Sequence, residues 1–400
     1  MKKEKIILGC LIFTLLTACA TSGKETAVSE EVKNVPVKVH VVSQEAEDIF
    51  ERGQQFLNRG EFKMAIEDFT DAIRIDPNYA RAYTLRGVAY GNSGDPDRGI
   101  DDFNQAIRID SNLAEAYLNR GSLYSNKGDQ DRAISDITEA IRLDPNFVMA
   151  YMNRGNSYSR KGDYDRAIAD FTRAIRLDPN FVMPYTERGV AYNKKGDYDR
   201  AIADFSQVIR LDSTNAKAFR ERGIAYSYKR DYDHAIIDCT QAIRLDPNNT
   251  MAYNVRGLAY NGRNDYDRAI ADFDQAIRLD PNDVNLYYNR GFVYNNKNDY
   301  DRAIADYTQA VRLNPNFVHA YNNRGFVYNN KNDYDRAIAD FDQAIRLDPN
   351  YANPYRHRAF AYMQKGNFTQ ARSDVNRALQ IDPNYQNALT LSAELQQRGH

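Results

Sequence analysis

The 400-residue chain carries 53 Lys and Arg against 55 Asp and Glu, a formal net charge of -2, so no global field draws it to nucleic acid or anionic lipid. Charged residues at 27% and hydrophobic residues at 42% are ordinary for a folded soluble chain, and exclude both a disordered polyelectrolyte and a membrane bundle. Tyr at 29 beside Trp at 0 points to aromatic positions set once and then copied.

The chain begins with Lys2, Lys3 and Lys5, followed by an apolar run from Ile6 to Leu16, the order of a secretion signal and too short to span a bilayer. The run ends in Leu16-Thr17-Ala18-Cys19, which resembles the lipobox of bacterial lipoproteins. That resemblance implies that residues 1–18 are removed and that Cys19 becomes a lipid-modified first residue. It also implies anchoring on the extracytoplasmic side of a membrane of the bacterial cell envelope, inner or outer. The alternative is an ordinary signal peptide with an incidental Cys. Cys10 leaves with the signal and Cys19 is acylated in this reading, so Cys239 remains with nothing to pair with. Residues 19–45 read as the lipidated Cys and a flexible tether, rich in Thr, Ser, Glu, Lys and Val without helical periodicity. As a coil it reaches about 25–30 Å from the lipid.

From Ala46 to Tyr385 one pattern repeats every 34 residues. Its marker is Arg-Gly at Arg52-Gly53, Arg86-Gly87, Arg120-Gly121, Arg154-Gly155, Arg188-Gly189, Arg222-Gly223, Arg256-Gly257, Arg290-Gly291 and Arg324-Gly325, with Arg358-Ala359 as the tenth. In the copy from Val148 to Phe181, Tyr151, Gly155 and Tyr158 share one helical face, and Ala167, Phe171, Ala174 and Ile175 share a second. Gly162 suits a left-handed helix end, Asp163 and Asp165 a new N-terminus, and Pro179 a stop, after which Asn180 is expected to cap the next helix.

Tyr151, Gly155, Tyr158, Ala167, Phe171, Ala174 and Pro179 together resemble the tetratricopeptide repeat. The resemblance implies an all-α fold, a right-handed superhelical solenoid of ten helix–turn–helix repeats over residues 46–385, with first helices lining a concave groove. Residues 386–400, with Leu389, Leu391 and Leu395 on a polar helix, read as a C-terminal capping helix. One departure is Arg directly before Gly, where the family prefers Leu. Asp68, Asp102, Asp136, Asp170, Asp204, Asp238, Asp272, Asp306, Asp340 and Asp374 recur at the same period, which suggests an Arg/Asp ladder that sets repeat geometry more than it adds stability. The alternative is two independently solvated charges.

Several copies deviate. Ser111 and Ser213 replace Pro, Val208 replaces a small Ala, and Leu211 to Asn215 is expected to be a softer joint. Pro96 and Gly99 are expected to weaken the start of one second helix, and Cys239 reads as a small buried hydrophobe in an aromatic position. Gly291 to Asp306 is identical to Gly325 to Asp340, a duplication within the chain.

No catalytic constellation is apparent, and no cofactor or metal motif. The five His are His40, His234, His319, His357 and His400, none at ligand spacing to another His or Cys, and the Asp-x-Asp pairs lack the glycine and distal glutamate of a calcium loop. The chain therefore reads as a non-enzyme. The resemblance implies that first-helix positions around Arg-Gly point into the groove: Asn119, Asn153, Asn156, Asn289 and Asn323, with Phe292, Phe326 and Phe360 toward the C-terminal end. Amides can bond the main chain of an extended ligand and Phe offers apolar pockets, so a peptide segment is the natural guest. The alternative is that these Phe only pack between repeats. The family's clamp for a terminal carboxylate is not reproduced, since Ile224 follows Arg220 where an Asn is needed.

The resulting expectation is a lipid-anchored scaffold of the cell envelope that binds a peptide segment or partner protein, without nucleic acid. The alternative is a self-associating coat or array built from the duplicated surface.

Overall fold

The computed structural model describes residues 42–397, and the signal, Cys19 and nearly all of the tether lie outside them. The described residues hold 21 α-helices and no strand, an all-α repeat solenoid. They divide into two compact units after Lys195. The first contains α1 (Gln44–Asn58), α2 (Phe62–Ile75), α3 (Ala80–Ser93), α4 (Pro96–Ile109), α5 (Ala114–Asn126), α6 (Gln130–Leu143), α7 (Val148–Arg160), α8 (Tyr164–Leu177) and α9 (Val182–Lys195). The second contains α10 (Tyr198–Leu211), α11 (Ala216–Tyr228), α12 (Tyr232–Leu245), α13 (Thr250–Gly262), α14 (Tyr266–Leu279), α15 (Val284–Asn296), α16 (Tyr300–Leu313), α17 (Val318–Asn330), α18 (Tyr334–Leu347), α19 (Ala352–Gln364), α20 (Phe368–Ile381) and α21 (Gln386–Gln397).

The pair α7/α8 shows why these residues form these elements. Lys161 ends α7 and Gly162 turns the chain with φ 78°, a left-handed conformation that glycine adopts without steric cost. Asp163 then caps α8, its carboxylate accepting from the Arg166 amide at 3.1 Å. The inward face of α8 is Ala167, Phe171 and Ala174, all fully buried, with the Phe171 ring seated against the bare backbone of Gly155. A phenylalanine buried this completely contributes roughly 1.5–3 kcal/mol relative to exposure. Beyond α8 the outcome differs from the expectation for Asn180: its backbone N–H donates to the Asp178 carboxylate at 3.0 Å. The aspartate before the proline thus organises the loop, and Asn180 is a turn residue rather than a helix cap.

Two further deviations have local structural accounts. Pro96 occupies the first turn of α4, where its missing N–H is harmless, and Asp95 caps that helix through the Arg98 amide at 3.2 Å. Gly99 is required there by close approach, because a Cβ would stand 2.8 Å from the Gly87 carbonyl oxygen and 2.9 Å from Leu123 Cδ1. In the segment Leu211–Asn215 side-chain hydrogen bonds organise the turn where proline is missing. Thr214 donates to the Asp212 carboxylate through its amide at 3.0 Å and its hydroxyl at 2.7 Å, and Asn215 caps α11 through the Ala218 amide at 3.0 Å. Val208 is accommodated in the core, fully buried. In α21 the buried face is Ala388, Leu391 and Leu395, with Leu389 outside it at 40% exposure.

The recurrent arginine makes three kinds of contact at once. Within each repeat that lies in a single unit, its Nε and Nη2 donate side-on to the aspartate 16 residues later, as Arg154 does to Asp170 at 2.8 Å for both bonds. The same geometry holds at Arg52, Arg86, Arg120, Arg222, Arg256, Arg290, Arg324 and Arg358. Its Nη1 donates to the second helix of the preceding repeat: Arg120 to Asn104 at 2.7 Å, Arg154 to Thr138 at 3.1 Å, Arg188 to Thr172 at 2.9 Å, Arg290 to Asp274 at 2.5 Å. Its flat face lies over tyrosine, 5.8 Å from the Tyr151 ring centre for Arg154. Burial pushes the carboxyls of Asp102, Asp272, Asp306, Asp340 and Asp374 up, against the opposite pull of their arginines. The charged aspartate is thus held at a desolvation cost that the bond to its arginine, which holds the guanidinium charged at Arg120, Arg154 and Arg222, works against.

A second row of ion pairs runs along the exposed turn edge. Lys127, Lys161, Lys195, Lys229, Arg263, Lys297, Lys331 and Lys365 each pair with an aspartate 30 residues earlier, on the preceding repeat. Exposure makes each such pair worth little.

A double-mutant cycle on Arg154→Met and Asp170→Asn, read by urea denaturation, is expected to give a coupling of about 1–3 kcal/mol, and additive losses would mean that the pair does not act as one unit. Arg230 is the one non-glycine, non-asparagine residue at positive φ among the described residues, at 62°. Arg230→Gly is expected to raise stability by about 0.5–1 kcal/mol, and an unchanged denaturation midpoint would show that no strain resides there.

Candidate protein-binding face

In the second unit the first helices α11, α13, α15, α17 and α19 lie side by side, joined by amide bonds from one helix to the one before. Asn289 Nδ2 donates to Asn254 Oδ1 at 2.9 Å, Asn296 Nδ2 to Asn261 Oδ1 at 3.1 Å, and Asn323 Nδ2 to the Tyr288 hydroxyl at 3.0 Å. His357 continues the series, its Nδ1 lying 3.1 Å from Asn322 Oδ1, and Asn329 Nδ2 donates to the His357 carbonyl at 3.0 Å. Burial, reinforced by the Arg356 charge, lowers the His357 imidazole to about 3, so this ring is neutral and acts as a hydrogen-bonding wedge.

Across these helices runs one apolar position per repeat: Ile224, Leu258, Phe292, Phe326 and Phe360. Phe292 is 40% exposed. Phe326 is half-buried, its ring 5.2 Å from the His357 ring, and Phe360 is half-buried against the cluster of Met363, Val375 and Leu391. The row is flanked by polar atoms that lack a partner although enclosed: Asn295 Oδ1, Asn329 Oδ1 and the Nε atoms of Arg220 and Arg356.

The first unit presents a different surface. The position equivalent to Phe292 holds Gln54, Val88, Ser122, Asn156 and Val190. Asn153 Nδ2 donates to Ser122 Oγ at 2.9 Å, and Arg160 Nη1 to the Ser125 carbonyl at 3.0 Å. Asn119 and Asn156 are half-buried and make no side-chain hydrogen bond among the described residues. Of the residues singled out from sequence, the structure therefore brings Asn289, Phe292, Asn323, Phe326 and Phe360 together on the second unit. Asn119, Asn153 and Asn156 lie on the first, and Cys19 lies outside the described residues.

Sequence reading missed Ile224 and Leu258, which continue the phenylalanine row at 34-residue spacing and could have been found by carrying that spacing back. It also missed Tyr288 and Asn322, each one residue before a chosen amide, and Asn254, which accepts from Asn289, because which polar residue accepts a bond is decided by the neighbouring helix. Met251, at 50% exposure, adds apolar surface at the start of α13.

Among the described residues no cluster of three or more His, Cys, Asp or Glu converges on a metal-sized site, and no helix is long and apolar enough to cross a membrane. Cys239 is fully buried, and burial pushes its thiol up to about 12, so it packs as a small apolar group and not as a nucleophile.

Models of the tetratricopeptide repeat match at residues 80–113, 114–147, 148–181, 171–203, 216–249, 284–317, 318–351 and 352–385, and models of the TPR repeat at 53–94, 189–229 and 257–297. Among solved structures, the APC/C hetero-tetramer Cut9-Hcn1 is 19% identical with a TM-score of 0.50, covering 90% of this chain and 78% of that one. A tetratricopeptide repeat protein from Parabacteroides merdae is 20% identical with a TM-score of 0.47, covering 63% of this chain and 99% of its own. Yeast Tom70 is 18% identical with a TM-score of 0.44, covering 89% of each. At these identities the likeness is one of fold. No curated protein matches the chain.

Proposed function

This chain belongs to the tetratricopeptide repeat proteins, and from that premise we propose that it is a lipid-anchored scaffold of the bacterial cell envelope that binds an extended segment of a partner protein on the first-helix face of its second unit. The observation that carries the reading is the row from Ile224 to Phe360, exposed at Phe292 and set on the amide-bonded layer of Asn289 and Asn323. An extended peptide offers what such a surface lacks, namely main-chain N–H and C=O groups at regular intervals and side chains on alternate sides. The ligand favoured by this chemistry carries apolar residues and little charge, because Arg220 beside the row already pairs with Glu221 at 2.8 Å.

Anchoring rests on Lys2, Lys3 and Lys5, the apolar run and the Leu16–Cys19 lipobox. Lipid at Cys19 places the array on the extracytoplasmic side of a membrane, where it recruits partners in envelope assembly, wall remodelling or secretion. Nothing in this reading calls for a cofactor or a catalytic step.

Peptides selected from a random library on the soluble repeat array supply the ligand for a first test. Phe292→Ala is expected to weaken their binding about tenfold, roughly 1.4 kcal/mol, whereas Ile237→Ala, more exposed and on a second helix, leaves it unchanged. Equal losses at both positions would remove the binding face. The anchor is tested separately: Cys19→Ser is expected to release the protein from the membrane fraction, and unchanged membrane association with unchanged processing would refute lipidation.

A further inference from the structure

Tyr198 opens α10 and Tyr228 closes α11, so the two meet at the turn edge of consecutive repeats, both within the second unit. Their rings are stacked, with 5.1 Å between centres and 4° between planes. The residues that follow them hold the two backbones together, since Lys229 pairs with Asp199. Among the described residues this is the one stacked pair of tyrosines, and the pair Tyr288 and Tyr307 is tilted by 53° inside a core cluster.

The pairing is specific to this junction. The position of Tyr228 carries Gly262, Asn296, Asn330 and Gln364 in the later repeats of the unit. Tyr266, Tyr300 and Tyr334 stand where Tyr198 does, and each donates its hydroxyl to an asparagine two residues earlier, at 3.0, 3.1 and 2.8 Å. Tyr198 has Gly196 at that place, and neither its hydroxyl nor that of Tyr228 has a hydrogen-bond partner among the described residues. Tyr228 is 67% exposed. One-electron oxidation of such a surface falls to tyrosine, because the sequence has no Trp and Cys239 is fully buried.

We propose that Tyr198 and Tyr228 form an oxidative crosslinking site, joined as dityrosine by a one-electron oxidant of the haem peroxidase class. Each phenol gives up one electron and one proton, and the two ring radicals join through the carbons next to their phenolic carbons. The C–H bonds at the joined carbons then break, their protons returning to the phenolic oxygens. In all, two C–H bonds are replaced by one C–C bond, and the two electrons and two protons reduce one hydrogen peroxide to two waters. Stacking favours this outcome because the second radical forms already beside the first. Coupling needs the rings to slip edge to edge, and the exposure of Tyr228 leaves room for it.

The new bond closes a loop around α10, the turn Leu211–Asn215 and α11. In that turn Ser213 stands in the place of proline, and side-chain hydrogen bonds organise the chain. A covalent tie from one repeat to the next holds this junction together when those bonds open.

Treatment of the full chain with a haem peroxidase and limiting hydrogen peroxide tests the site. The expected product is monomeric, lighter by two hydrogen atoms, and on digestion yields a peptide pair joined through Tyr198 and Tyr228. Tyr228→Phe keeps an aromatic ring in the stack and is expected to cut dityrosine fluorescence about tenfold, whereas Tyr232→Phe, at the next repeat's equivalent of Tyr198, leaves it unchanged. In the crosslinked form the amides of Leu211–Asn215 are expected to exchange with deuterium about threefold more slowly. Dityrosine scattered over other tyrosines, or an undiminished yield in Tyr228→Phe, overturns the proposal. So does a covalent dimer as the main product, which gives Tyr228 to a contact between copies. Exchange unaltered by the crosslink overturns the role as a staple.

Discussion

The arginine that precedes each glycine is the constraint on which the rest of the array depends. One guanidinium grips the aspartate of its own second helix, reaches back to the second helix before it and lies across tyrosine faces. A planar donor fork can do this where a lysine could not, because three directions are bonded from one rigid group. The aspartate side of the bargain is unfavourable in isolation, as the upward shift of the buried carboxyls indicates. Hydrophobic contacts such as Phe171 on Gly155 supply the stability, and the polar fork chooses one stacking geometry among those that greasy helices would tolerate.

Most of the fold was legible in the amino-acid order because the contacts that decide it are local. Asp163 capping its helix, Gly162 reversing the chain and Ala167, Phe171 and Ala174 forming a face all follow from residues a few positions apart. The misreadings arise where a local rule meets a neighbour. Gly99 looks like a weak helix former until the carbonyl of Gly87 is seen beside it, and Asn180 looks like a cap until the Asp178 carboxylate takes its amide. The absence of proline at Ser213 is offset by Thr214 and Asn215, which rebuild the turn with side-chain bonds.

The candidate site was legible only in part, and for the same reason. A phenylalanine at a repeated position can be seen in the sequence, but whether it faces solvent cannot: Phe292 does, whereas Phe326 leans on His357 and Phe360 on Met363. Likewise the amides of Asn289 and Asn323 are spent on neighbouring helices, so that they position the layer. The side-chain oxygens of Asn295 and Asn329, without a hydrogen-bond partner among the described residues, are themselves enclosed.

The backward reach of the arginine also bears on how such a chain can change its size over time. Its acceptor on the preceding repeat is a threonine, serine, asparagine or aspartate according to the repeat, and all of them satisfy it. Each 34-residue block therefore behaves as a cassette with a permissive socket, and excising or copying one block leaves no guanidinium stranded. Unequal crossing-over between near-identical stretches, such as Gly291–Asp306 and Gly325–Asp340, would then yield folded descendants of differing copy number. The length of the array is a trait that lineage drift can adjust while the packing rules stay unchanged.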